Sequence, residues 1–291
     1  MEKEIISEIE VQSVMTKSSL PVGGFSVNPY VGCPHACKYC YASFMKRFTG
    51  HTEPWGTFLD VKHWKPIANP HKYDGQRIVI GSVTDGYNPY EEEFCMTRRL
   101  LQELEGTNAE IMICTKSDLV LRDLELLKKF PKVTVSWSIN TLEEQFRKDM
   151  DRAVSIERRI AAMRKVYEAG IRTVCFVSPI FPGITDVKAI IERVRDFADL
   201  IWLENLNLRG QFKGTIMSYI RENHPDVYAL YDEIYNKKRM NYWESLEKEI
   251  SMFAKQNGFP YMVNDLPYGR SEKGKPVIVN FFYHEKIRLN Q

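Results

Sequence analysis

A regular alternation of short apolar segments with longer amphipathic segments is the feature that most constrains this chain. The predicted strands are rich in β-branched residues and cover residues 25–28, 77–81, 109–114, 132–137, 173–177 and 200–203. The predicted helices lie near residues 91–105, 118–129, 142–168 and 187–198, and Gly170 is in the position expected of the C-cap of the third. Strands that alternate with helices indicate βαβ units and a parallel sheet. Six such units can form an open doubly wound sheet or a partly closed barrel, and periodicity alone leaves both possible.

The alternating segments, residues 25–205, are expected to form the main domain. Residues 1–24 are polar and are predicted to be a lead-in arm. Residues 206–291 are predicted to be a helical C-terminal extension that packs on the main domain and carries a late strand at 277–283. Residues 50–75 are rich in Pro, Gly, His and Trp, which is typical of a long irregular connection.

The composition is that of an ordinary globular protein. Of 291 residues, 44% are hydrophobic and 27% are charged. Lys plus Arg (40) nearly balances Asp plus Glu (38), so the net charge of +2 gives no strong argument for nucleic acid or an anionic membrane as partner. The sequence has no apolar run as long as a signal peptide or a membrane helix, and we therefore expect a cytoplasmic protein without a membrane partner.

A loop of ten residues, 32–41, contains three of the six cysteines, Cys33, Cys37 and Cys40. This spacing allows three thiolates to point at one centre. A closed structural zinc site needs four protein ligands, and the usual electron-carrying iron–sulfur cluster is held by four cysteines. A [4Fe-4S] cluster held by three cysteines leaves one iron open to another ligand. We therefore interpret the loop as a reaction centre.

The alternative is a zinc site in which His35 is the fourth ligand, as in a non-catalytic metal-binding module. His35 lies between two of the cysteines, where closing a tetrahedron would be cramped. The remaining cysteines, Cys95, Cys114 and Cys175, are scattered in apolar or helical contexts, which is not a disulfide framework.

Polar side chains follow several of the predicted strands. In parallel α/β folds ligands bind at the carboxyl ends of the strands, which is where the cysteine loop also lies. Four polar residues follow the last predicted strand and are candidates for substrate binding, although a polar loop explains them equally well: Glu204, Asn205, Asn207 and Arg209.

The motif Cys33-x3-Cys37-x2-Cys40, with an aromatic residue before the last cysteine and βα repeats after it, resembles the radical S-adenosylmethionine (SAM) superfamily. More narrowly, the chain resembles the spore photoproduct lyase-like group, often labelled DNA repair photolyase. The supporting stretches occur in family order within about residues 13–186, and they are residues 28–33, 81–85, 115–117, 138–140, 157–159 and 179–183.

The resemblance implies an α/β fold, a partial (βα)6 TIM-like barrel. It implies a [4Fe-4S] cluster whose open iron holds the amino and carboxylate groups of SAM. One electron then splits SAM into methionine and a 5′-deoxyadenosyl radical that abstracts hydrogen from a substrate. It also implies an electron donor of the flavodoxin or ferredoxin type. The substrate is unknown: nucleic acid is possible, and a peptide or small molecule is the alternative.

The resemblance also implies roles for single residues around the cluster. Tyr39 would lie beside the adenine of SAM, and Tyr41 would take part in radical relay, although simple packing explains either tyrosine. Lys116 would pair with the SAM carboxylate, which suits a flexible cation, but a solvated surface lysine is the alternative.

Further polar positions correspond to SAM contacts in the family. Ser138 and Asn140 would bind the methionine or ribose part of SAM, while helix capping by Asn140 or Thr141 ahead of the helix at 142 is the alternative, and both could hold at once. The remaining expected contacts are Ser82, Thr84 and Asp85 to the amino group, and Pro179 and Ile180 around the adenine. For the segment after Ile180, a turn formed by Pro182 and Gly183 is the alternative.

One departure concerns the substrate. Spore photoproduct lyase has a cysteine in the segment that matches residues 81–85, and it returns a hydrogen atom to the product radical. No cysteine occurs in that segment here, and Cys95 lies some ten residues downstream in a predicted helix. The resemblance therefore supports the cofactor half of the site more than thymine-dimer splitting.

Overall fold

The computed structural model describes residues 4–18, 24–208, 210–265, 270–271 and 274–282. The strands are β1 (Ile5–Glu10), β2 (Met15–Lys17), β3 (Phe25–Val27), β4 (Tyr30–Val31), β5 (Phe58–His63), β6 (Arg77–Ile80), β7 (Glu110–Thr115), β8 (Lys132–Ser138), β9 (Arg172–Ile180), β10 (Leu200–Asn205), β11 (Tyr261–Val263) and β12 (Val277–Asn280).

The α-helices are α1 (Lys46–Thr49), α2 (Glu91–Phe94), α3 (Met96–Leu104), α4 (Leu124–Leu127), α5 (Glu144–Met150), α6 (Ile156–Glu168), α7 (Val187–Val194), α8 (Gly210–Asn223), α9 (Pro225–Tyr235) and α10 (Asn241–Asn257). Short 3-10 helices occur at Tyr41–Met45, Pro70–Tyr73 and Leu119–Asp123.

The chain divides into two compact units, each made of two segments. The first unit comprises Met1–Trp137 and Asp151–Thr173, and the second comprises Ser138–Met150 and Val174–Gln291. The predicted domain boundaries after residues 24 and 205 stay predictions.

The first unit is built on a mostly parallel sheet in the order β2-β3-β6-β7-β8. Strands β3, β6, β7 and β8 run parallel, and β2 pairs antiparallel with β3. Ile78, Ile111 and Val135 are fully buried, as expected for a parallel sheet that is covered on both faces. The predicted strands of this region are confirmed, and the carboxyl ends of β3, β6 and β7 lie at one edge.

A second, three-stranded sheet in this unit has the order β1-β5-β4. Strand β1 runs parallel to β5, and β4 runs antiparallel to it. The interpretation of residues 50–75 as irregular throughout was wrong, because Phe58 and Leu59 form a buried strand there. Strand β4 ends directly before Gly32, so this sheet delivers the chain into the cysteine loop.

Two predicted helices are interrupted. The helix expected over residues 91–105 is split at Cys95, which has a φ of 54° in the left-handed region. The helix expected within 142–168 is split between α5 and α6, because Asp151 turns inward to pair with Arg159. Gly170 follows α6 with a φ of 80°, as predicted for the end of that helix.

The second unit contains the strands β9, β10, β12 and β11, in that order. All three pairings between them are parallel. The predicted late strand is confirmed as β12 and is the strand between β10 and β11. Helices α8 to α10 occupy the region predicted to be helical. In the described ranges, no helix is long and apolar enough to cross a membrane.

Gly32 is required where β4 enters the cysteine loop. Its φ is 84°, and a Cβ atom there would lie 2.3 Å from the backbone oxygen of Phe58. Gly75 has a φ of 70°, but a Cβ atom built on it would have no neighbouring atom within 4 Å. Gly75 is therefore a control with a similar backbone conformation and no steric clash.

We expect Gly32→Ala to lower the free energy of unfolding by about 2–5 kcal/mol, because backbone strain adds to a steric clash. Gly75→Ala carries only the strain, of about 1–2 kcal/mol. Urea unfolding measures the free energy of unfolding of both variants. Equal decreases in that free energy would contradict the close approach of the loop to β5.

Candidate active site

The cysteine loop follows β4 and is wound by two tight turns. The backbone N–H of Ala36 donates to the carbonyl of Cys33 at 3.0 Å, and that of Cys40 donates to Cys37 at 3.1 Å. Cys33 is buried and the other two cysteines are half-buried. All three are free thiols, so the loop presents its sulfurs as metal-binding groups.

The surroundings of the loop disfavour unpaired thiolates. Burial, with the nearby charge of Asp85, raises the pKa of Cys33 to about 12. Burial also raises the pKa of Cys37 well above its usual range, and that of Cys40 less strongly. A thiol ligand must lose its proton to bind metal, so bound cations are what would stabilise three thiolates here.

The donor set fits an iron–sulfur cluster, for which thiolates are the usual protein ligands. Within the described ranges, no group of three or more His, Cys, Asp or Glu side chains converges closely enough to hold a single metal ion. A cluster does not require such convergence, because each cysteine binds a different iron atom.

Asp85 fastens the cysteine loop to the strand ends. Its Oδ2 lies 3.0 Å from Nε2 of His35 and accepts the backbone N–H of Lys116 at 2.7 Å. Its Oδ1 accepts the backbone N–H of Tyr87 at 2.9 Å and the Thr115 hydroxyl at 2.8 Å. Burial acts to raise the pKa of Asp85, but His35 and the backbone donors outweigh it and lower that pKa. Asp85 therefore remains ionised and engaged with protein groups.

Ser82 and Thr84 also bind protein groups. The Ser82 hydroxyl is 2.5 Å from that of Ser26 and accepts from Asn28 at 3.1 Å. The Thr84 hydroxyl donates to the carbonyl of Gly32 at 2.5 Å. These contacts tie the turn after β6 to the entrance of the cysteine loop. The predicted contacts of Ser82, Thr84 and Asp85 with SAM stay predictions.

Lys116 carries a positive charge toward the cysteine loop. Its Nζ lies 5.7 Å from the ring centroid of Tyr39, and no ion pair joins it to a carboxylate in the described part of the chain. Burial acts to lower the pKa of Lys116, but its electrostatic interactions with Cys37 and with the carboxylate of Asp151 raise that pKa above the usual value. The side chain therefore stays an ammonium beside the loop.

Tyr39 and Asp151 lie near Lys116. The Tyr39 hydroxyl donates to Asp151 Oδ2 at 3.3 Å, and Asp151 Oδ1 pairs with Arg159 at 2.7 Å. The side chains of Asp151 and Arg159 are almost completely buried. Because Arg159 compensates Asp151, the Lys116 charge is left for another anion.

Trp55 was missed by the sequence reasoning, which treated residues 50–75 as a connection. Its indole Nε1 is buried and has no oxygen or nitrogen acceptor in the described ranges. The indole N–H lies toward Cys40, and it lowers the pKa of that thiol against the effect of burial. The ring packs edge-on against Phe58 at 5.8 Å, and Phe58 stacks on His51 at 3.7 Å. In the sequence, only the Trp and His content of residues 50–75 indicated that this stretch could contact the cysteine loop.

Tyr41 lies at the surface, with 56% of its area exposed. Its hydroxyl donates to the backbone carbonyl of Ser82. The predicted role of Tyr41 in radical relay stays a prediction.

Ser138 and Asn140 belong to the second unit. Asn140 is 2% exposed, and its Nδ2 has no hydrogen-bond partner in the described ranges. Thr141 accepts the backbone N–H of Glu143 at 2.9 Å, so Thr141 serves the turn before α5. The Asn140 Nδ2 is therefore a buried donor without an acceptor among the described residues. Ser138 is the half-buried last residue of β8.

Pro179 and Ile180 form the end of β9. Ile180 is fully buried, and its carbonyl accepts the backbone N–H of Leu206 at 3.2 Å. Pro179 is half-buried. The predicted turn at Pro182–Gly183 is present, because the backbone N–H of Ile184 donates to Phe181 at 3.1 Å.

Two of the four polar residues expected after the last strand, Glu204 and Asn205, lie within it, because β10 extends to Asn205. Glu204 is the penultimate residue of β10 and accepts the Ser178 hydroxyl at 2.5 Å. Asn205 is buried, and Asn207 is half-buried. Arg209 lies outside the described residues. Their predicted contact with substrate stays a prediction.

The sequence profile of the radical SAM superfamily matches residues 27–196, which is more than half of the chain. The chain belongs to the radical SAM superfamily. An uncharacterized protein of Methanocaldococcus jannaschii is 37% identical over 228 residues, covering 77% of this chain and 86% of that protein. An uncharacterized protein of Acidianus two-tailed virus is 31% identical over 226 residues, covering 68% of this chain and 72% of that protein.

Solved structures of spore photoproduct lyase share the fold. One, with bound AdoMet and dinucleoside spore photoproduct, has a TM-score of 0.54 at 16% identity, covering 75% of this chain and 67% of that chain. A second, with dinucleoside spore photoproduct, has a TM-score of 0.55 at 17% identity, covering 76% of this chain and 66% of that chain. The predicted family and fold class, a partial TIM barrel, are confirmed, and the chain is an enzyme of the radical SAM class.

We expect Asp85→Asn to lower the free energy of unfolding at pH 7 by about 3–5 kcal/mol, because it breaks a buried pair. Because folding lowers the pKa of Asp85, the carboxylate stabilises the fold at pH values above its pKa in the unfolded chain, which is about 3.9. This stabilisation is lost as the pH falls through the pKa of Asp85 in the folded protein.

Urea unfolding of wild type and variant between pH 7 and pH 3.5 should therefore give a difference that narrows as the pH falls. Glu92→Gln, at an exposed position, is the control and should change little. A difference that is small at pH 7, or independent of pH, would contradict the role of Asp85.

Proposed function

We propose that Cys33, Cys37 and Cys40 hold a [4Fe-4S] cluster and that the enzyme uses it to cleave SAM reductively. When bound, the cluster supplies one electron to the SAM sulfonium, which yields methionine and a 5′-deoxyadenosyl radical that abstracts hydrogen from a substrate. The observation that carries the proposal is the three-thiol loop beside a lysine ammonium without a carboxylate partner in the described ranges.

Lys116 would bind the carboxylate of SAM. The ammonium follows β7 and faces the same loop as the cysteines. A hydrogen bond to a charged group contributes about 1.5–3 kcal/mol, which corresponds to roughly 10- to 150-fold in affinity. Tyr39, fixed by its hydrogen bond to Asp151, limits where the lysine chain can lie and is the expected neighbour of the adenine.

Asn140 would donate its unpartnered amide N–H to SAM, as the family resemblance implies for this position. An unsatisfied buried donor costs about 1–3 kcal/mol, and a ligand acceptor removes that cost. Ser138 is the expected second donor. Ser82, Thr84 and Asp85 would act mainly by holding the cysteine loop in place, since their polar atoms already bind protein groups.

Nucleic acid is the proposed substrate class, and a peptide or small molecule is the alternative. Both spore photoproduct lyase structures described above hold a dinucleoside, which favours nucleic acid by analogy of fold. The segment 81–85 of this chain has no cysteine, so hydrogen return by a thiol from that turn is not part of the proposal. A flavodoxin- or ferredoxin-type protein is the expected electron donor.

We expect the combined Cys33→Ala, Cys37→Ala and Cys40→Ala variant to lose iron and acid-labile sulfide and to form no 5′-deoxyadenosine with SAM and dithionite. The measurement is anaerobic reconstitution followed by metal analysis and chromatography. Cys95→Ala is the matched control, and it should keep its iron and acid-labile sulfide and still form 5′-deoxyadenosine. Product formation by the triple variant would sink the assignment.

We expect Lys116→Gln to weaken SAM binding by roughly 10- to 150-fold while the visible absorbance of the cluster is kept, because only the carboxylate contact is lost. Equilibrium dialysis against SAM measures this. Lys128→Gln removes a half-exposed cation after α4 and should bind SAM as wild type does. Unchanged affinity in Lys116→Gln would remove the lysine from the SAM site.

A further inference from the structure

An exposed row of aromatic side chains follows the cysteine loop directly. Tyr41 is 56% exposed, Phe44 is 41% exposed and Phe48 is 75% exposed. Among the described residues, six large hydrophobic side chains are at least 41% exposed, and three of them lie in this one segment. Such a concentration marks an interaction surface rather than ordinary surface apolarity. We call Tyr41, Phe44 and Phe48 the aromatic ridge.

The short helices beneath the ridge bring its rings together. Spacings of three and four residues place side chains on one face of a helix. The rings of Tyr41 and Phe44 are 6.3 Å apart at 29°, and those of Phe44 and Phe48 are 6.2 Å apart at 88°. The hydroxyl of Tyr41 is held by the backbone of Ser82. The ridge is therefore a built surface, in a chain segment continuous with the proposed cluster site.

The charged side chains of the segment that carries the ridge are positive up to residue 52, and Glu53 follows. Residues 36–52 contain Lys38, Lys46 and Arg47 but no Asp or Glu. Lys38 and Arg47 are exposed, and Lys46 donates to the carbonyl of Thr52 at 3.1 Å. Cations interleaved with exposed rings are suited to a polyanion that also carries flat, apolar faces.

We propose that the aromatic ridge is a docking surface for single-stranded nucleic acid. Bases would stack on Phe44 and Phe48, and phosphates would lie at Lys38 and Arg47. This inference rests on the proposed function, for which it specifies the physical form of the substrate. The ridge begins at the residue after Cys40, so a nucleic-acid strand bound to it would lie next to the proposed cluster site.

The ring spacing favours a single strand over a duplex. Bases stacked within one strand of a duplex repeat every 3.4 Å, whereas the ridge rings are about 6 Å apart and differ in tilt. Bases that stack on successive rings would thus be separated from one another. An acidic protein partner would satisfy the cations, but it offers no series of flat faces for the rings.

The test measures binding of a fluorescein-labelled twelve-nucleotide oligo(dT) to the full chain with its cluster reconstituted, by fluorescence anisotropy. We expect the double variant Phe44→Ala, Phe48→Ala to bind at least about tenfold more weakly, because stacking contributes strongly per base. Met252→Ala, at a position that is 60% exposed in α10, is the control and should bind as wild type does.

A second variant separates stacking from charge. Arg47→Gln should reduce the slope of log affinity against log salt by about 0.7, as expected for the loss of one phosphate contact on a single strand. The double phenylalanine variant should keep the wild-type slope. A wild-type chain that does not bind the oligonucleotide, or equal binding by the phenylalanine variant, would overturn the proposal.

Two further measurements identify the source of a failure. If the phenylalanine variant binds oligo(dT) normally but is reduced more slowly by flavodoxin, the ridge belongs to the electron donor and the proposal is overturned. Formation of 5′-deoxyadenosine without nucleic acid should be unchanged in the variant. If wild type binds oligo(dT) but forms no 5′-deoxyadenosine, the proposed cofactor chemistry fails while the docking surface stands.

Discussion

The buried carboxylate of Asp85 is the interaction on which the site in the first unit depends. It follows β6, yet it binds His35 inside the cysteine loop and the backbone N–H of Lys116 after β7. A buried carboxylate is costly unless donors compensate it, and here four donors do so. Asp85 therefore fixes the cysteine loop and the lysine relative to one another, which is the spacing that a cofactor contacting both requires.

Charge balance explains why the arrangement suits a cluster and SAM. Burial raises the pKa of all three thiols, although Lys116 acts to lower the pKa of Cys37 and Cys40, and the bound cations of a metal centre would stabilise the three thiolates. The Asp151–Arg159 pair is neutral overall, so Lys116 remains the cation available to an anionic ligand. Trp55 adds an indole N–H near Cys40, and hydrogen bonds to cluster sulfurs are one of the ways in which proteins set cluster potential. The chain thus supplies placement and electrostatics, while the proposed cofactors supply the chemistry.

Local patterns in the sequence predicted much of this architecture. Strands β3, β6 to β10 and β12 follow from apolar periodicity, and the end of α6 follows from Gly170. The pairing of β1 with β5 was missed, because β1 lies in a stretch that is polar overall and its partner lies some fifty residues away. The engagement of Asp85 with His35 was also missed, since it joins residues fifty positions apart that neither motif nor periodicity connects. Asn140 was an ambiguous residue in the sequence, and the structure shows that its Nδ2 has no acceptor in the described ranges while Thr141 accepts the backbone N–H of Glu143.

The central proposal is that three cysteines hold a cluster with one iron open to SAM. Electron paramagnetic resonance of the dithionite-reduced, reconstituted protein tests it most directly. We expect about four irons per chain and a reduced-cluster signal whose g values shift when SAM is added. One tightly bound zinc per chain, or a cluster signal that SAM leaves unchanged, would contradict it.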